Sequence, residues 1–143
     1  MCGITGILRF DNELIKIQNL KNMTDSILHR GPDDEGQWVS KSKNIGLGHR
    51  RLSIIDLSKK SNQPMKVNNL ILTFNGEIYN YLELRLFLQK KGMTFRTSGD
   101  TEVLINAYRY FGEDVCKHLN GMFAFGIYDE KKKTFFFARD PSG

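Results

Sequence analysis

The stretch LNGMFAFGIYDEKKKTFFFA, residues 119–138, decides the fold class. It holds two apolar runs rich in aromatic residues, Met122 to Tyr128 and Thr134 to Ala138, and the charged residues Asp129 to Lys133 separate them. Two β-prone runs joined by a short polar turn are typical of a β-hairpin. The sequence therefore predicts an antiparallel pair of strands here.

The rest of the chain adds short strands joined by short connections. The run Leu70 to Phe74 suits a buried strand that ends at the turn signal Asn75-Gly76. Because many connections are hairpin-like rather than strand–helix–strand crossovers, the pattern favours a mostly antiparallel α+β protein over a doubly wound parallel sheet. The other predicted strands are Met1 to Phe10, Gln37 to Val39, Ile45 to His49 and Leu52 to Ile55.

Three stretches have the periodicity of helices. Glu13 to Leu28 repeats apolar residues near the 3.6 period and stops before a Gly-Pro pair. Tyr79 to Lys91 is followed by Gly92, which fits the left-handed residue just past a helix end. Asp100-Thr101 offers an N-cap for a third helix. The segment Glu113 to Leu119 is a short fourth candidate.

Length and composition describe a single globular domain. The chain has 143 residues, 40% of them hydrophobic, which is enough for one packed core. No run approaches the roughly 18 apolar residues of a membrane-spanning helix, and the N-terminus lacks the pattern of a signal peptide. Two cysteines, Cys2 and Cys116, are too few for a disulfide framework. A cytoplasmic protein without a membrane partner is expected.

Charge and motif content argue against several partners and cofactors. Lys and Arg number 21 against 16 Asp and Glu, a net charge of +5, but the lysines are scattered and no nucleic-acid-binding signature accompanies them. Nucleic acid is therefore not an expected partner. The two Cys and three His fall into no metal-ligand spacing. Because no glycine-rich phosphate loop is present either, we expect no metal and no cofactor in this domain.

Cys2 is the residue with the clearest chemical meaning. If the initiator Met1 is removed, which a small second residue permits, the thiol and the free α-amine belong to the same residue. An α-amine titrates near pH 8 and a free thiol near 8.5, so the amine can serve as the base that activates the sulfur. The alternative is that Cys2 is packed as a small hydrophobic residue.

A series of motifs spans essentially the whole chain. The motifs are MCGITGI at 1–7, HRGPDDEG at 29–36, GHRRLSIIDLS at 48–58, QPM at 63–65, FNGEIYN at 74–80, SGDTEV at 98–103 and LNGMFAFGIYD at 119–129. Together they resemble the glutaminase domain of asparagine synthetases, a branch of the N-terminal-nucleophile glutamine amidotransferases. The second and third motifs resemble this branch rather than the sugar-phosphate or purine-pathway amidotransferases.

The resemblance implies a fold and an activity. The fold would be a four-layer α/β/β/α sandwich in which two mostly antiparallel sheets pack face to face between helices. The activity would be hydrolysis of L-glutamine to glutamate and ammonia through a thioester on Cys2, with no cofactor needed for this half-reaction.

The resemblance also implies a site. Cys2 matches the nucleophile, and Asn75 and Gly76 match the oxyanion hole through the Asn side-chain amide and the Gly backbone N–H. Arg51 matches the side chain that holds the α-carboxylate of glutamine. The carboxylates that receive the ammonium group of glutamine are matched by Glu77 and Asp100. The residues whose backbone lines the same pocket are matched by Leu52, Ser53, Ile54 and Ile55.

Several structural interpretations of the same residues stay open at this point. The pair Asn75-Gly76 also suits a type I′ hairpin turn, and Asp100 also suits a helix N-cap. Arg50 and Arg51 are adjacent, and the spacing of the motif favours Arg51 for the pocket, with Arg50 solvated. The side chains expected to be structural rather than catalytic are His29, His49, His118, Arg30, Asp33 and Cys116.

The resemblance implies a larger parent protein. In the family an ATP-dependent synthetase domain follows the glutaminase domain and captures the ammonia, so the chain resembles an N-terminal piece that lacks this domain. ATP and Mg are expected only there. A different acceptor for the ammonia, a non-catalytic domain that keeps the fold, and a homo-oligomer are alternatives that the sequence leaves open.

Overall fold

The computed structural model describes residues 2–11, 13–52 and 61–142. These residues form seven β-strands, three α-helices and two 3₁₀ segments. The strands are β1 Gly3–Leu8, β2 Asp34–Val39, β3 Ile45–Arg51, β4 Met65–Val67, β5 Leu70–Ile78, β6 Gly121–Asp129 and β7 Thr134–Arg139; the helices are α1 Ile17–Ser26, α2 Tyr81–Lys90 and α3 Asp100–Phe111; the 3₁₀ segments are Leu28–Arg30 and Gly112–His118.

The strands form two antiparallel sheets. The first sheet has the order β1-β3-β2 and the second has the order β4-β5-β6-β7. In the second sheet β5 pairs with β6 from Leu70 opposite Asp129 to Ile78 opposite Gly121. The predicted hairpin is confirmed, since β6 and β7 pair up to Asp129 opposite Thr134.

Helices cover the outer faces of the two sheets. Helix α1 packs on β1 and β3 of the first sheet, β1 and β3 contact β5 of the second, and α3 packs on β4 and β5. Helix α2 packs on α3. The order of layers is thus helix, sheet, sheet, helices, which confirms the predicted α/β/β/α sandwich with two antiparallel sheets.

Two apolar clusters hold these layers together. The larger lies between the second sheet and helices α2 and α3, with Leu72, Phe74 and Leu104 at its centre. The smaller lies between the sheets, where Leu47 packs with Ile71. Because side chains alternate along a strand, the even positions of β5 reach the helices and the odd positions face the first sheet.

Strand β5 does not end where the sequence suggests. Asn75 and Gly76 lie inside the strand, paired with Ala124 and Phe123 of β6, so the hairpin-turn interpretation of this pair is wrong. Gly76 has φ +144°, and a Cβ at this position would collide with the backbone of Met122 and Phe123. Glycine therefore lets the strand continue through a backbone conformation that other residues rarely adopt.

Other boundaries differ from the prediction for local reasons. Helix α1 begins at Ile17 rather than Glu13, since the backbone N–H of Ile15 donates to the carbonyl of Lys43 instead of joining a helix. The fourth candidate helix is the 3₁₀ segment Gly112–His118. The short strand β4 has no counterpart in the prediction. No helix among the described residues is long and apolar enough to cross a membrane.

Strands β2 and β3 are longer than predicted, by three and two residues, whereas β1 spans Gly3–Leu8 and is shorter than the predicted Met1 to Phe10. Leu52 lies just beyond β3, and the remainder of the strand predicted from Leu52 to Ile55 lies outside the described residues. Gly92 has φ +85°, in agreement with the left-handed residue predicted past α2.

Candidate active site

A pocket of about 120 Å³ lies where β1 begins and β3 ends. It brings together segments that are far apart in the sequence: the residue before β1, the end of β3, the segment before β4, the second half of β5 and the start of α3. Its lining residues are Cys2, Arg51, Leu52, Ser61, Gln63, Phe74, Asn75, Gly76, Glu77, Gly99, Asp100, Thr101 and Met122.

Cys2 lies half-buried in this pocket beside Leu52. The backbone N–H of Leu52 approaches the Cys2 sulfur at 3.4 Å, and the Leu52 carbonyl lies 3.6 Å from the same atom. Arg30 donates from Nε to the Cys2 carbonyl at 3.1 Å. The Leu52 backbone thus contacts the thiol on one side, and the other side of the thiol faces the pocket. The guanidinium of Arg30 fixes the carbonyl of the same residue.

The two adjacent arginines have different environments because side chains alternate along β3. Arg51 lines the pocket and donates from Nη1 to Asn62 Oδ1 at 2.6 Å, and Asn62 Nδ2 donates to Asp34 Oδ2 at 2.6 Å. Arg50 is buried and binds the carboxylates of Asp25 and Glu35. The expectation that Arg50 is solvated is therefore wrong: it joins α1 to β2 and β3.

Asn75 carries an unusual polar atom. Its side-chain Oδ1 is fully buried and has no hydrogen-bond partner among the described residues. Asn75 follows Thr73 by two positions, and the Thr73 hydroxyl donates to the Gly48 carbonyl of the first sheet. The alternation of the strand therefore points the Asn75 side chain to the face that carries Cys2. A buried amide oxygen without a partner is costly unless a hydrogen-bond donor of a ligand reaches it.

One edge of β5, which no described strand covers beyond Leu72, passes along the pocket. The backbone N–H of Phe74 donates to Gln63 Oε1 at 2.6 Å, and that of Ile78 donates to Asp100 Oδ2 at 3.0 Å. Backbone groups of alternate residues in an antiparallel strand point to the same edge. Regular alternation would place the N–H of Gly76, midway between these two, on this edge as well.

Two carboxylates, those of Glu77 and Asp100, also line the pocket. Burial raises the pKa of Asp100, the negative charge of Glu77 raises it further, and the N–H of Ile78 opposes both effects. Asp100 is the first residue of α3, and its N-cap is Gly99, so the predicted N-cap lies one residue too late. Because its carboxylate binds the end of β5, Asp100 joins α3 to that strand.

Of the other singled-out side chains, Arg30 binds the Cys2 carbonyl, whereas His49, His118 and Cys116 do not line the pocket. His49 is buried and binds the Phe74 carbonyl, and the ring of His118 stacks on Phe111 at 3.7 Å. Cys116 packs against the larger cluster, and burial raises the pKa of its thiol. No group of three His, Cys, Asp or Glu side chains in the described ranges is placed to hold a metal ion.

Sequence reasoning assigned no role to several residues that line the pocket. Gln63 belongs to the quoted QPM motif, which was the signal that could have found it. Three predicted pocket residues, Ser53, Ile54 and Ile55, lie outside the described residues. The remaining unassigned lining residues are Ser61, Phe74, Gly99, Thr101 and Met122.

A cysteine directly before the first strand of an α/β/β/α sandwich, beside a pocket with an arginine and two carboxylates, defines an amidotransferase of the N-terminal-nucleophile class. The family model for the glutamine amidotransferase domain matches residues 1–143. The chain belongs to this family.

Known proteins of similar sequence or structure agree with this family. The putative asparagine synthetase [glutamine-hydrolyzing] 2 of Methanocaldococcus jannaschii is 45% identical over 161 residues, covering 100% of this chain and 30% of the relative. The asparagine synthetase [glutamine-hydrolyzing] 3 of Bacillus subtilis is 40% identical over 148 residues, covering 100% of this chain and 24% of the relative. The chain thus spans less than a third of the length of these curated relatives.

A solved structure shows the same fold. Glutamine phosphoribosylpyrophosphate amidotransferase from Bacillus subtilis superimposes with a TM-score of 0.81 at 25% sequence identity. The match covers 98% of this chain and 37% of that chain.

Proposed function

We propose that the chain hydrolyses L-glutamine to glutamate and ammonia through a thioester on Cys2. The observation that carries the proposal is that one pocket holds a half-buried thiol, a guanidinium and two carboxylates. Membership of the glutamine amidotransferase domain family supports the choice of glutamine.

The charges of the pocket fit a zwitterionic amino acid. Arg51 belongs to the first sheet and Asp100 to the helical layer beyond the second sheet, so they reach the pocket from opposite sides of β5. A guanidinium binds a carboxylate through two parallel hydrogen bonds, which suits the α-carboxylate of glutamine. The carboxylates of Glu77 and Asp100 suit the α-ammonium group. The amide would then point to Cys2.

The chemistry needs only groups of this chain and water. After removal of Met1, the α-amine of Cys2 takes the thiol proton and the sulfur attacks the amide carbon of glutamine. The C–N bond breaks, the nitrogen leaves with a proton as ammonia, and the acyl group stays on sulfur. Water then adds to the thioester carbon, the C–S bond breaks, and glutamate and the thiol are regenerated.

The negative charge that forms on the attacked oxygen needs hydrogen-bond donors. The Asn75 side-chain amide and the Gly76 N–H would supply them. Within the Asn75 amide this role falls to Nδ2, which can donate, because Oδ1, which is buried without a partner among the described residues, can only accept. Loss of one such donor costs on the order of a hundredfold in rate.

The proposal extends to the domain that receives the ammonia. The relatives named as glutamine-hydrolysing asparagine synthetases are more than three times longer than this chain, which favours a synthetase domain as the acceptor. ATP and Mg would act in that domain and not in the pocket described above. A cytoplasmic location fits such biosynthetic chemistry.

The test is ammonia release from glutamine by protein whose intact mass shows that Met1 is removed. We expect Cys2→Ala to reduce release to the uncatalysed background, because no other group can form the thioester. The matched control is Cys116→Ala, which removes the other cysteine and should keep the activity of the wild type.

The alternative is a non-catalytic domain that has kept the fold. That alternative is correct if processed wild-type protein releases no more ammonia than Cys2→Ala. Labelling of Cys2 by a glutamine-like electrophile separates the two possibilities further, since a closed or inactive pocket would not direct the reagent to Cys2 over Cys116.

A further inference from the structure

Within residues 2–11, 13–52 and 61–142, strand β5 loses its neighbour on one side before it reaches the pocket. The partner strand β4 is short, and its pairing with β5 ends at Met65 opposite Leu72. The next residue of β5 with backbone groups on this edge is Phe74. Because buried N–H and C=O groups need partners, both groups of Phe74 must be bound by something other than a strand.

Two buried side chains bind them. The N–H of Phe74 donates to Gln63 Oε1 at 2.6 Å, and the carbonyl of Phe74 lies 3.1 Å from His49 Nε2. His49 comes from β3 in the first sheet and is 1% exposed, whereas Gln63 precedes β4 and is 8% exposed. Neither side chain has a role in the chemistry proposed above.

The protonation state of His49 suits this contact. Burial lowers the pKa of His49 to about 4, so the imidazole is neutral near pH 7. A carbonyl oxygen can only accept, so Nε2 carries the ring proton in the neutral form. His49 therefore donates one hydrogen bond and Gln63 accepts one, and together they replace the missing strand at Phe74.

We propose that His49 and Gln63 are positioning residues for the oxyanion hole, which they align by binding both backbone groups of Phe74. The inference rests on the proposed role of Asn75 and Gly76. The peptide that ends in the Phe74 carbonyl continues directly into Asn75, so its orientation sets the direction of the Asn75 side chain. It also sets the approach of the strand to Gly76, whose φ is +144°.

The exact positions of the oxyanion-hole donors affect the rate of the reaction more than they affect the binding of glutamine. Donors that stabilise a developing charge must lie within about 0.5 Å of their productive positions. The α-carboxylate and α-ammonium of glutamine are held elsewhere in the pocket, by Arg51, Glu77 and Asp100. Loss of the hydrogen bonds to the Phe74 backbone should therefore lower kcat and leave KM nearly unchanged.

The experiment compares variants that remove a hydrogen bond with variants that keep it. Gln63→Met and His49→Phe remove the two bonds, and Gln63→Glu and His49→Gln retain an acceptor and a donor. We expect the first pair to lower kcat by about tenfold to a hundredfold with KM within about threefold. The second pair should recover much of the loss.

Alkylation of Cys2 by iodoacetamide separates positioning from damage to the thiol. In this reaction sulfur forms a bond to carbon and iodide leaves, so no oxyanion forms, and the alkylation rate should stay near that of the wild type. Thr73→Val is the control for packing: Thr73 is buried next to Phe74 and bonds to Gly48 at 3.3 Å. It should change the melting temperature and leave kcat unchanged.

Three results would overturn the inference. They are a wild-type kcat in a folded Gln63→Met or His49→Phe protein, equal losses in kcat and alkylation rate, or an equal loss of kcat in Thr73→Val.

A second measurement decides the inference even if the wild type proves inactive, which would refute only the proposed function. Nuclear magnetic resonance shifts of the Asn75 side-chain amide and the Gly76 N–H should move in Gln63→Met and His49→Phe and not in Thr73→Val. Unchanged shifts in the first two variants would refute the alignment directly.

Discussion

At the residue scale, Gly76 combines a backbone requirement with a chemical one. Its φ of +144° is open to glycine and strained for other residues, and the space where a Cβ would lie is filled by the backbone of β6. The same residue presents the backbone N–H that we assign to the oxyanion hole. A substitution there should therefore affect stability and rate together.

We predict that Gly76→Ala lowers the free energy of unfolding by about 1–3 kcal/mol, because backbone strain and the collision with Met122 add. Urea unfolding measures the loss. Gly92→Ala is the matched control: Gly92 also has positive φ, +85°, but a Cβ there meets nothing within 4 Å. An equal loss in both variants would mean that the collision contributes nothing.

The buried carboxylate of Asp100, which we place in the proposed binding site, lowers the stability of the fold when it is charged. Burial and the charge of Glu77 raise the pKa of Asp100 above its ordinary value. Between the unfolded and the folded pKa, the folded protein holds a proton that the unfolded chain has released, so stability falls as pH rises through this range. Above the folded pKa the full cost of the buried charge is present and lowers the stability of the fold.

We predict that Asp100→Asn raises the melting temperature at pH 7, since the amide oxygen still accepts from Ile78 and the repulsion is gone. The gain should disappear below about pH 4, where both states of the wild type are protonated. The same variant should raise KM for glutamine by about tenfold or more through loss of a carboxylate partner. A melting temperature at pH 7 below that of the wild type contradicts the argument.

At the scale of elements, the contact between β3 and β5 depends on a neutral imidazole. His49 of β3 is buried between the sheets and binds the Phe74 carbonyl of β5. Burial lowers the pKa of His49 to about 4, against an ordinary value of 6.5. Below pH 6.5 the unfolded chain binds a proton that the folded chain does not, so stability falls as pH falls.

We predict that His49 removes up to about 3 kcal/mol of stability between pH 6.5 and pH 4, the value that corresponds to its change in pKa. Urea unfolding at several pH values measures this slope. His49→Gln should flatten it, whereas His118→Gln, at an exposed histidine, should keep it. Equal slopes in the wild type and His49→Gln would contradict the assignment.

At the scale of the whole molecule, the pocket exists because two sheets and a helical layer end at the same place. Cys2 and Arg51 come from the first sheet, Asn75 to Glu77 from the second, and Asp100 from α3. The net charge of +5 does not describe this site. The electrostatic feature that matters is local, a cation and two carboxylates that line one pocket.

Much of this architecture could be read from the sequence. The aromatic hairpin of β6 and β7, the helices α2 and α3, and the antiparallel α+β class follow from local patterns of hydrophobicity. The motifs identified the glutamine amidotransferase family and the residues Cys2, Arg51, Asn75 and Asp100, which the structure brings into one pocket. Local patterns succeed here because neighbouring residues decide hairpins and helix periodicity.

The tertiary structure alone decided the rest, because those features depend on partners distant in sequence. From the sequence Asn75-Gly76 is typical of a turn, but in the structure both residues pair with β6 and β5 continues through them. Arg50 looks like a surface residue until α1 and β2 bring two carboxylates to it. The bonds of Gln63 and His49 to Phe74 arise because β4 is too short to cover β5, and only the assembled sheets show where a strand lacks its neighbour.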